Sequence, residues 1–133
     1  MVSESRTLSG TDPAAADVIQ QCNQMQVPVI PGAFTPTEIY NAWQLGADMV
    51  KVFPANQFGP GYIKDIKGPL NQIKLVPTGG ITIQNLPEYH KNGASGFGVA
   101  TPLFDKQRVE AGDWDWVEQQ ARAFVNAFQS HSR

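Results

Sequence analysis

The feature that most constrains the fold of this chain is a regular alternation of short apolar runs with segments of helical periodicity. Apolar runs lie at residues 27–30, 49–53, 73–77 and 96–100, and between them apolar residues recur at helical spacing. Strand–helix units that repeat in this way predict parallel strands joined by helical crossovers. We therefore expect an α/β fold built on a parallel sheet.

The length of the chain limits how much of a parallel barrel it can form. A strand–helix–strand unit takes roughly 30 residues or more, and a complete (β/α)8 barrel takes about 250, or about 200 at its smallest. The chain has 133 residues, and no linker-like or low-complexity stretch divides it. We expect a single domain, residues 1–133, that forms half to two-thirds of a TIM barrel. An open half-barrel exposes strand edges and an apolar inner face, so we expect it to associate with another copy or with the missing half.

Three positions carry signals for the start of a helix. Asp12 before Pro13 predicts an N-cap with proline in the first turn. The segment Thr35–Glu38 is a capping box with proline at the first helical position. Asp113 is the predicted cap of the last helix. Because the capping box already accounts for Glu38, that carboxylate is a weak candidate for an acid or base.

Charge, cysteine and histidine content exclude several kinds of site and partner. The net charge is -2 with no basic patch, which argues against nucleic acid or a membrane surface as a partner. No apolar stretch reaches transmembrane length, and the first residues do not form a signal peptide. Cys22 is the single cysteine, so a reducing cytoplasm fits best. His90 and His131 have no partner at metal-ligand spacing, so we expect no metal and no cofactor.

One charged residue interrupts an apolar run near the predicted end of a strand. Lys51 lies within Met49–Pro54 and precedes Pro54 by only three residues. Burial of an ammonium lowers the pKa of a lysine and makes the free amine available for a Schiff base with a carbonyl substrate. The structural alternative is a lysine whose stem packs and whose head reaches water. Lys74 interrupts the next run at its start, which in a barrel is the face away from chemistry.

Two loops after predicted strands are rich in small residues. Thr78-Gly79-Gly80 follows one strand, and adjacent glycines let the backbone approach a ligand and aim N–H groups at an anion. Gly98–Thr101 closes the last predicted strand. The final two strand–helix loops of a (β/α)8 barrel often form a phosphate site. Taken alone, the paired glycines are better explained as an ordinary tight turn between strand and helix.

These residues carry a resemblance to a known family. The chain resembles the Schiff-base aldolases that cleave 2-keto-3-deoxy-6-phosphogluconate and 4-hydroxy-2-oxoglutarate, together with the related phosphogalactonate enzymes. The most specific runs are Lys-x-Phe-Pro-Ala, at 51–55, and Pro-Thr-Gly-Gly, at 77–80. The resemblance extends over further runs in the same order, at 27–32, 35–38, 46–48, 58–60, 66–69 and 110–113.

The resemblance implies a class I carbon–carbon lyase that releases pyruvate and an aldehyde. It also implies a substrate that is a small keto acid or phosphorylated sugar acid, a cytoplasmic enzyme and a homo-oligomer, usually a trimer. It assigns roles to particular residues: Lys51 as the catalytic lysine, Pro31, Phe53 and Thr78 at the substrate, and Gly79, Gly80 and Thr101 at the phosphate.

The chain departs from the family pattern in two places. Val99-Ala100-Thr101 stands in place of Gly-Gly-Ser, which keeps a hydroxyl but leaves open a shorter substrate without phosphate. The first strands of the family, with the acid–base glutamate and the carboxylate-binding arginine, have no counterpart. The resemblance therefore implies strands four or five to eight, with Met1–Ser3 at the end of the fourth strand and Ser5–Gly10 as the loop after it.

Two other functions stay open from the sequence. One is a non-catalytic or truncated half-barrel that binds a sugar phosphate and needs a partner chain. The other is a different phosphate-binding barrel, such as an epimerase, whose activity would not depend on Lys51. The discriminating feature in both cases is whether the Lys51 amine reacts with a ketone.

Overall fold

The structure, a computed structural model, describes residues 13–130, with side chains from Ala16 onward. The expectations for Met1–Ser3, Ser5–Gly10, Asp12 and His131 lie outside these residues. The elements in chain order are α1 (Pro13–Gln24), β1 (Gly32–Ala33), α2 (Pro36–Gln44), β2 (Val50–Val52), a 3-10 turn (Ala55–Gln57), α3 (Gly59–Lys67), β3 (Leu75–Pro77), α4 (Leu86–Lys91), α5 (Lys106–Glu110) and α6 (Trp114–Ser130).

The strands form one parallel sheet in the order β1-β2-β3. A fourth segment of the chain continues the sheet beyond β3 through two parallel bridges, Leu75 to Ala94 and Thr78 to Gly98. Helices connect the strands, because parallel neighbours need a crossover connection. The predicted α/β fold with a parallel sheet is confirmed.

The hydrophobic core lies between one face of this sheet and the helices. Val50, Val52 and Leu75 point into it with no exposed surface. They meet apolar side chains from α2, α3 and α4, and each fully buried side chain of this size contributes about 1.5–3 kcal/mol. No helix in the described part of the chain is long and apolar enough to cross a membrane.

Helix α2 begins with the predicted capping box. The Glu38 N–H donates to Thr35 Oγ1 over 3.3 Å, and Glu38 Oε2 accepts from the N–H groups of Phe34 and Thr35, each over 2.8 Å. These two backbone bonds, that of Thr35 first, lower the pKa of Glu38. The helix stops before Gly46, whose φ of 94° is the left-handed conformation that favours glycine.

The prediction of a buried strand at 27–30 is wrong. The first strand is β1, and most of the predicted run is exposed. Val29 exchanges bonds with Asp48: its N–H donates to Asp48 Oδ2 over 2.8 Å, and its carbonyl accepts from the Asp48 N–H over 3.1 Å. Pro28 and Pro31 have no N–H to donate, so the ladder does not extend through them.

The predicted strand at 96–100 is likewise reduced to one bridge, at Gly98, because the chain turns at Ala100. The Ala100 carbonyl accepts from the N–H groups of Leu103 and Phe104, each over 2.9 Å. Beyond this turn lies α5, which the sequence analysis missed. Its signal is Asp105, whose carboxylate caps the helix by accepting from the Arg108 N–H over 3.0 Å.

Candidate active site

Lys51 occupies the middle of β2, the central strand. Its N–H donates to the Pro31 carbonyl over 2.8 Å, and its partners in register are Gly32 of β1 and Val76 of β3. Its side chain points away from the helix-covered core, because its neighbours in β2 point into that core and successive side chains alternate. Lys51 is therefore half-buried, not fully desolvated.

Phe53 links Lys51 to the glycine turn. The two side chains lie on the same face, and Lys51 Nζ is 5.6 Å from the centroid of the Phe53 ring. The Phe53 ring also packs towards Gly79, where a Cβ would lie 3.4 Å from Phe53 Cε2. The amine, the ring and the turn therefore form one continuous surface.

The turn at Gly79 and Gly80 has a backbone that requires glycine. Their φ angles are 96° and 70°, and a Cβ on Gly80 would lie 2.7 Å from Asn56 Cβ. The turn is tied at both ends: the Ala55 N–H donates to the Thr78 carbonyl, and Asn85 Nδ2 donates to the Gly80 carbonyl, each over 2.8 Å. A fixed turn of this kind holds its N–H groups in one direction.

The helix after the glycine turn begins later than predicted. The sequence indicates a helix from residue 83, whereas α4 starts at Leu86. Thr82 and Asn85 form a reciprocal turn instead: the Thr82 N–H donates to Asn85 Oδ1 over 2.8 Å, and the Asn85 N–H donates to Thr82 Oγ1 over 3.2 Å.

A pocket of about 380 Å³ lies against this turn, within the usual size of small-molecule sites. Its lining residues are Phe53, Thr78, Gly79, Gly80, Ile81, Thr82, Gly98, Val99, Ala100, Thr101 and Pro102. Five of the seven residues assigned by resemblance line it, and none of the lining residues carries a charge. Lys51 lies beside the pocket through its contact with Phe53, and Pro31 is buried and bonded through its carbonyl to the Lys51 N–H.

Sequence reasoning missed two residues that shape the pocket, Asn56 and Thr82, and named Gly98 only as the start of the loop after the last predicted strand. Asn56 packs against Gly80, which no local pattern announces. The spacing of Thr82 and Asn85 is that of a reciprocal side-chain turn, and could have signalled a delayed helix start. Gly98 within an apolar run is a signal of close backbone approach.

Two titratable groups near the strands serve structural purposes. Tyr89 is buried and donates a hydrogen bond from its hydroxyl to the Ala55 carbonyl over 3.0 Å, and burial raises the pKa of Tyr89. The ammonium of Lys67 donates to the carbonyls of Asn71 and Ile73 over 2.5 and 2.8 Å, and burial lowers the pKa of Lys67. Lys67 thereby fastens the turn before β3, at the edge of the sheet away from the pocket.

His90 packs against α6. Its ring meets Phe128 edge-on with centroids 5.0 Å apart, and Nδ1 lies 3.2 Å from the Ala94 carbonyl oxygen. Among residues 13–130 no group of three or more His, Cys, Asp or Glu side chains could hold a metal ion.

The chain is similar to known aldolases in sequence. The family model described as KDPG and KHG aldolase matches residues 11–120. The 2-dehydro-3-deoxy-6-phosphogalactonate aldolase of Escherichia coli (strain K12) is 36% identical over 116 residues, which is 86% of this chain and 54% of that protein. The chain spans about half the length of the curated relatives it matches.

Solved structures give the same likeness. The structure of native KDPGal aligns with a TM-score of 0.78 at 36% identity, over 87% of this chain and 55% of that chain. A designed, cube-shaped porous protein cage made by fusing symmetric oligomeric domains aligns with a TM-score of 0.77 at 36% identity, over 87% and 42% of the two chains. Since the family model covers well over half of its length, the chain belongs to the KDPG and KHG aldolase family.

Proposed function

We propose that this chain is the Schiff-base part of a class I aldolase. The substrate is a 2-keto-3-deoxy sugar acid such as 2-keto-3-deoxy-6-phosphogluconate, or 4-hydroxy-2-oxoglutarate, and the products are pyruvate and an aldehyde. The observation that carries the proposal is the placement of Lys51, whose amine lies 5.6 Å from the Phe53 ring at the border of the pocket. Family membership supports the same reaction.

In this mechanism the neutral Lys51 amine attacks the C2 ketone, and loss of water gives an iminium ion. A base takes the proton of the C4 hydroxyl, the C3–C4 bond breaks, and its electron pair passes to the iminium as an enamine. The aldehyde leaves. Protonation of the enamine at C3 restores an iminium, and water then releases pyruvate and frees the amine. Phe53 shields the iminium from solvent on one side.

The anionic groups of the substrate bind at the glycine turn and the loop opposite it. The N–H groups of Gly79 and Gly80 and the Thr101 hydroxyl offer donors without a fixed charge. The Thr78 hydroxyl joins them by turning its one proton from the Val76 carbonyl, 3.3 Å away, to the ligand. Val99 and Ala100 bring side chains into the same pocket, so a shorter keto acid without phosphate is the alternative substrate. Pro31 borders the site by fixing the strand position of Lys51 through the bond to its carbonyl.

The proton carrier comes from outside residues 13–130. No carboxylate lines the described pocket, and Glu38 is engaged by the cap of α2. General acid–base catalysis contributes typically 10²–10⁴-fold, so a chain without this group would form the Schiff base but cleave slowly.

The described strands form the later part of a (β/α)8 barrel, and a second chain or a further segment covers the open face. Support comes from the half-length match to relatives and from the partial exposure of Lys51 and Phe53. Homo-oligomers, trimers by resemblance, are in keeping with the likeness to a designed assembly of oligomeric domains. Light scattering on a size-exclusion column tests the association of chains: a monomer at all concentrations would contradict it.

The lone Cys22 suits a cytoplasmic location.

Borohydride trapping with pyruvate, read by intact mass, tests the proposed function. The wild-type chain should gain one reduced pyruvyl group, and Lys51→Ala should gain none. The Lys74→Ala variant is the matched control, because Lys74 is exposed at the start of the next strand, and it should be trapped like the wild type. An unmodified wild-type chain at saturating pyruvate would remove the catalytic proposal.

A non-catalytic sugar-phosphate-binding half-barrel is the second candidate, favoured by the absence of a carboxylate from the described pocket lining. It predicts that a sugar phosphate protects the pocket without any adduct at Lys51. An epimerase of the same barrel type predicts full activity in Lys51→Ala. Both outcomes can be told apart from the aldolase proposal, which predicts a pyruvyl adduct that forms only when Lys51 is present.

A further inference from the structure

The space beside Gly98 is filled by the side chain of another residue. Thr78 and Gly98 pair in a parallel bridge, and the Gly98 N–H donates to the Pro77 carbonyl over 3.0 Å. A Cβ at position 98 would overlap Thr78 Oγ1 and would lie 2.8 Å from Thr78 Cγ2. Protein interiors do not tolerate such overlaps, so the Thr78 side chain and a side chain at 98 exclude one another.

The backbone of Gly98 does not itself require glycine. Among the described residues, the glycines with positive φ are Gly46, Gly59, Gly79, Gly80, Gly93 and Gly112. Gly98 is outside this group, so its conformation is one that alanine can adopt. A side chain at position 98 is excluded by lack of space, because the Thr78 side chain occupies that space.

Gly96 is a matched comparison in the same segment. It also has no positive φ, and a Cβ there would lie 3.7 Å from Val76 Cγ2, an ordinary van der Waals contact. Residues 96 and 98 are two apart, so in an extended segment they face the same side. The two glycines therefore differ in the space that their neighbours leave.

Thr78 has little freedom to move away. Its N–H donates to the Val52 carbonyl over 3.0 Å, and its carbonyl accepts from the Ala55 N–H over 2.8 Å. Its hydroxyl donates to the Val76 carbonyl over 3.3 Å. With the backbone held on both sides, only a rotation about χ1 relieves an overlap with residue 98, and this rotation moves the hydroxyl.

We infer that Gly98 is a positioning residue. Because Gly98 has no side chain, the Thr78 side chain occupies the space beside it, and this holds the Thr78 hydroxyl at the wall of the pocket in the orientation that binds the keto acid. The inference rests on the proposed function for the use of that hydroxyl. The position of the hydroxyl itself does not depend on the reaction. The positioning role of Gly98 and the proposed function can therefore be tested separately.

The functional test is the pyruvate concentration that gives half-maximal borohydride trapping. Gly98→Ala and Thr78→Ala should each raise it about five- to tenfold, the value of roughly one hydrogen bond. The double variant should be no worse than the larger single effect, because residue 98 acts through Thr78. Gly96→Ala should stay within about twofold of the wild type. Wild-type behaviour of Gly98→Ala, or effects that add in the double variant, would overturn the inference.

The structural test is the χ1 rotamer of Thr78, read from three-bond couplings to its methyl carbon in isotope-labelled protein. Gly98→Ala should change the couplings, and Gly96→Ala should not. If Gly98→Ala fails to fold, Thr78→Ala in the same chain should restore folding, and no restoration contradicts the inference. Absence of trapping in the wild type removes the proposed function alone. An unchanged rotamer in folded Gly98→Ala removes the positioning role alone.

Discussion

The two faces of the sheet are covered very differently, although alternate residues of the same strands form them. Val52 and Leu75 are fully buried under the helices. Their chain neighbours Lys51 and Val76 are half-buried, and Phe53 is 46% exposed. The difference teaches that one face supplies the stability of this chain and the other supplies its candidate chemistry.

The largest effect should come from the covered face. Leu75→Ala should lower the free energy of unfolding by about 2–5 kcal/mol, because it leaves a cavity in the core. Val76→Ala, one residue further along the same strand, should cost no more than about 1 kcal/mol. Urea denaturation of both variants measures the contrast. Equal losses would mean that the two faces are equally packed.

Gly80→Ala should show that the rim of the open face has a fixed geometry. Alanine at a φ of 70° is strained and its Cβ meets Asn56, so we expect a loss of about 1–3 kcal/mol. Gly61→Ala is the control: Gly61 lies in α3 without a positive φ and with nothing within 4 Å of an added Cβ. It should gain up to about 1 kcal/mol. Thermal unfolding compares the two, and a tolerated Gly80→Ala would indicate a loose turn.

Glu38→Gln tests whether the Glu38 carboxylate stabilises the fold as part of the cap of α2. Because the pKa of Glu38 is lowered in the folded chain, its stabilisation is present above the unfolded pKa of about 4.3 and is lost as the pH falls through the folded value. The variant should be less stable by about 0.5–1 kcal/mol near neutral pH.

The difference in stability between wild type and Glu38→Gln should shrink towards zero as the pH falls below the unfolded pKa and through the lowered folded pKa, measured by urea denaturation at several pH values. Thr35→Val is the companion variant, since it removes the other half of the capping box at every pH. A gap that grows on acidification would contradict the cap and reopen Glu38 as an acid–base group.

The smallest effect on stability should come from the candidate catalytic residue. Lys51→Met keeps the length of the stem and removes the amine from the open face, so the free energy of unfolding should change by no more than about 0.5 kcal/mol. Denaturant unfolding measures this. A loss above about 2 kcal/mol would place the amine in the packing of the fold and weaken its assignment to chemistry.

Local signals with a defined geometry predicted the fold well. The capping box predicted the start of α2 and Asp113 the start of α6, where its carboxylate accepts from the Trp116 N–H over 3.2 Å. The apolar run at residues 49–53 predicted the strand at β2. These signals succeed because a cap or a period needs only neighbouring residues.

The sequence could not predict features that depend on distant partners. The run at 27–30 has the composition of a strand, but its prolines leave the ladder incomplete, so hydrophobicity alone misplaced β1. In the candidate site, too, local sequence signals predicted some features, while others depend on distant partners. The run at 51–55 and the glycine turn mark the pocket, whereas the packing of Asn56 on Gly80 and of Thr78 on Gly98 arises only when strands meet.

Peptide mapping of the chain after borohydride trapping with pyruvate tests the central claim most directly. The account predicts one reduced pyruvyl group on the peptide that carries Lys51, on the open face. It predicts none on Lys67, whose ammonium is held by two carbonyls, and none on Lys74. An adduct on either of those lysines with Lys51 unmodified would contradict the assignment of chemistry to the open face.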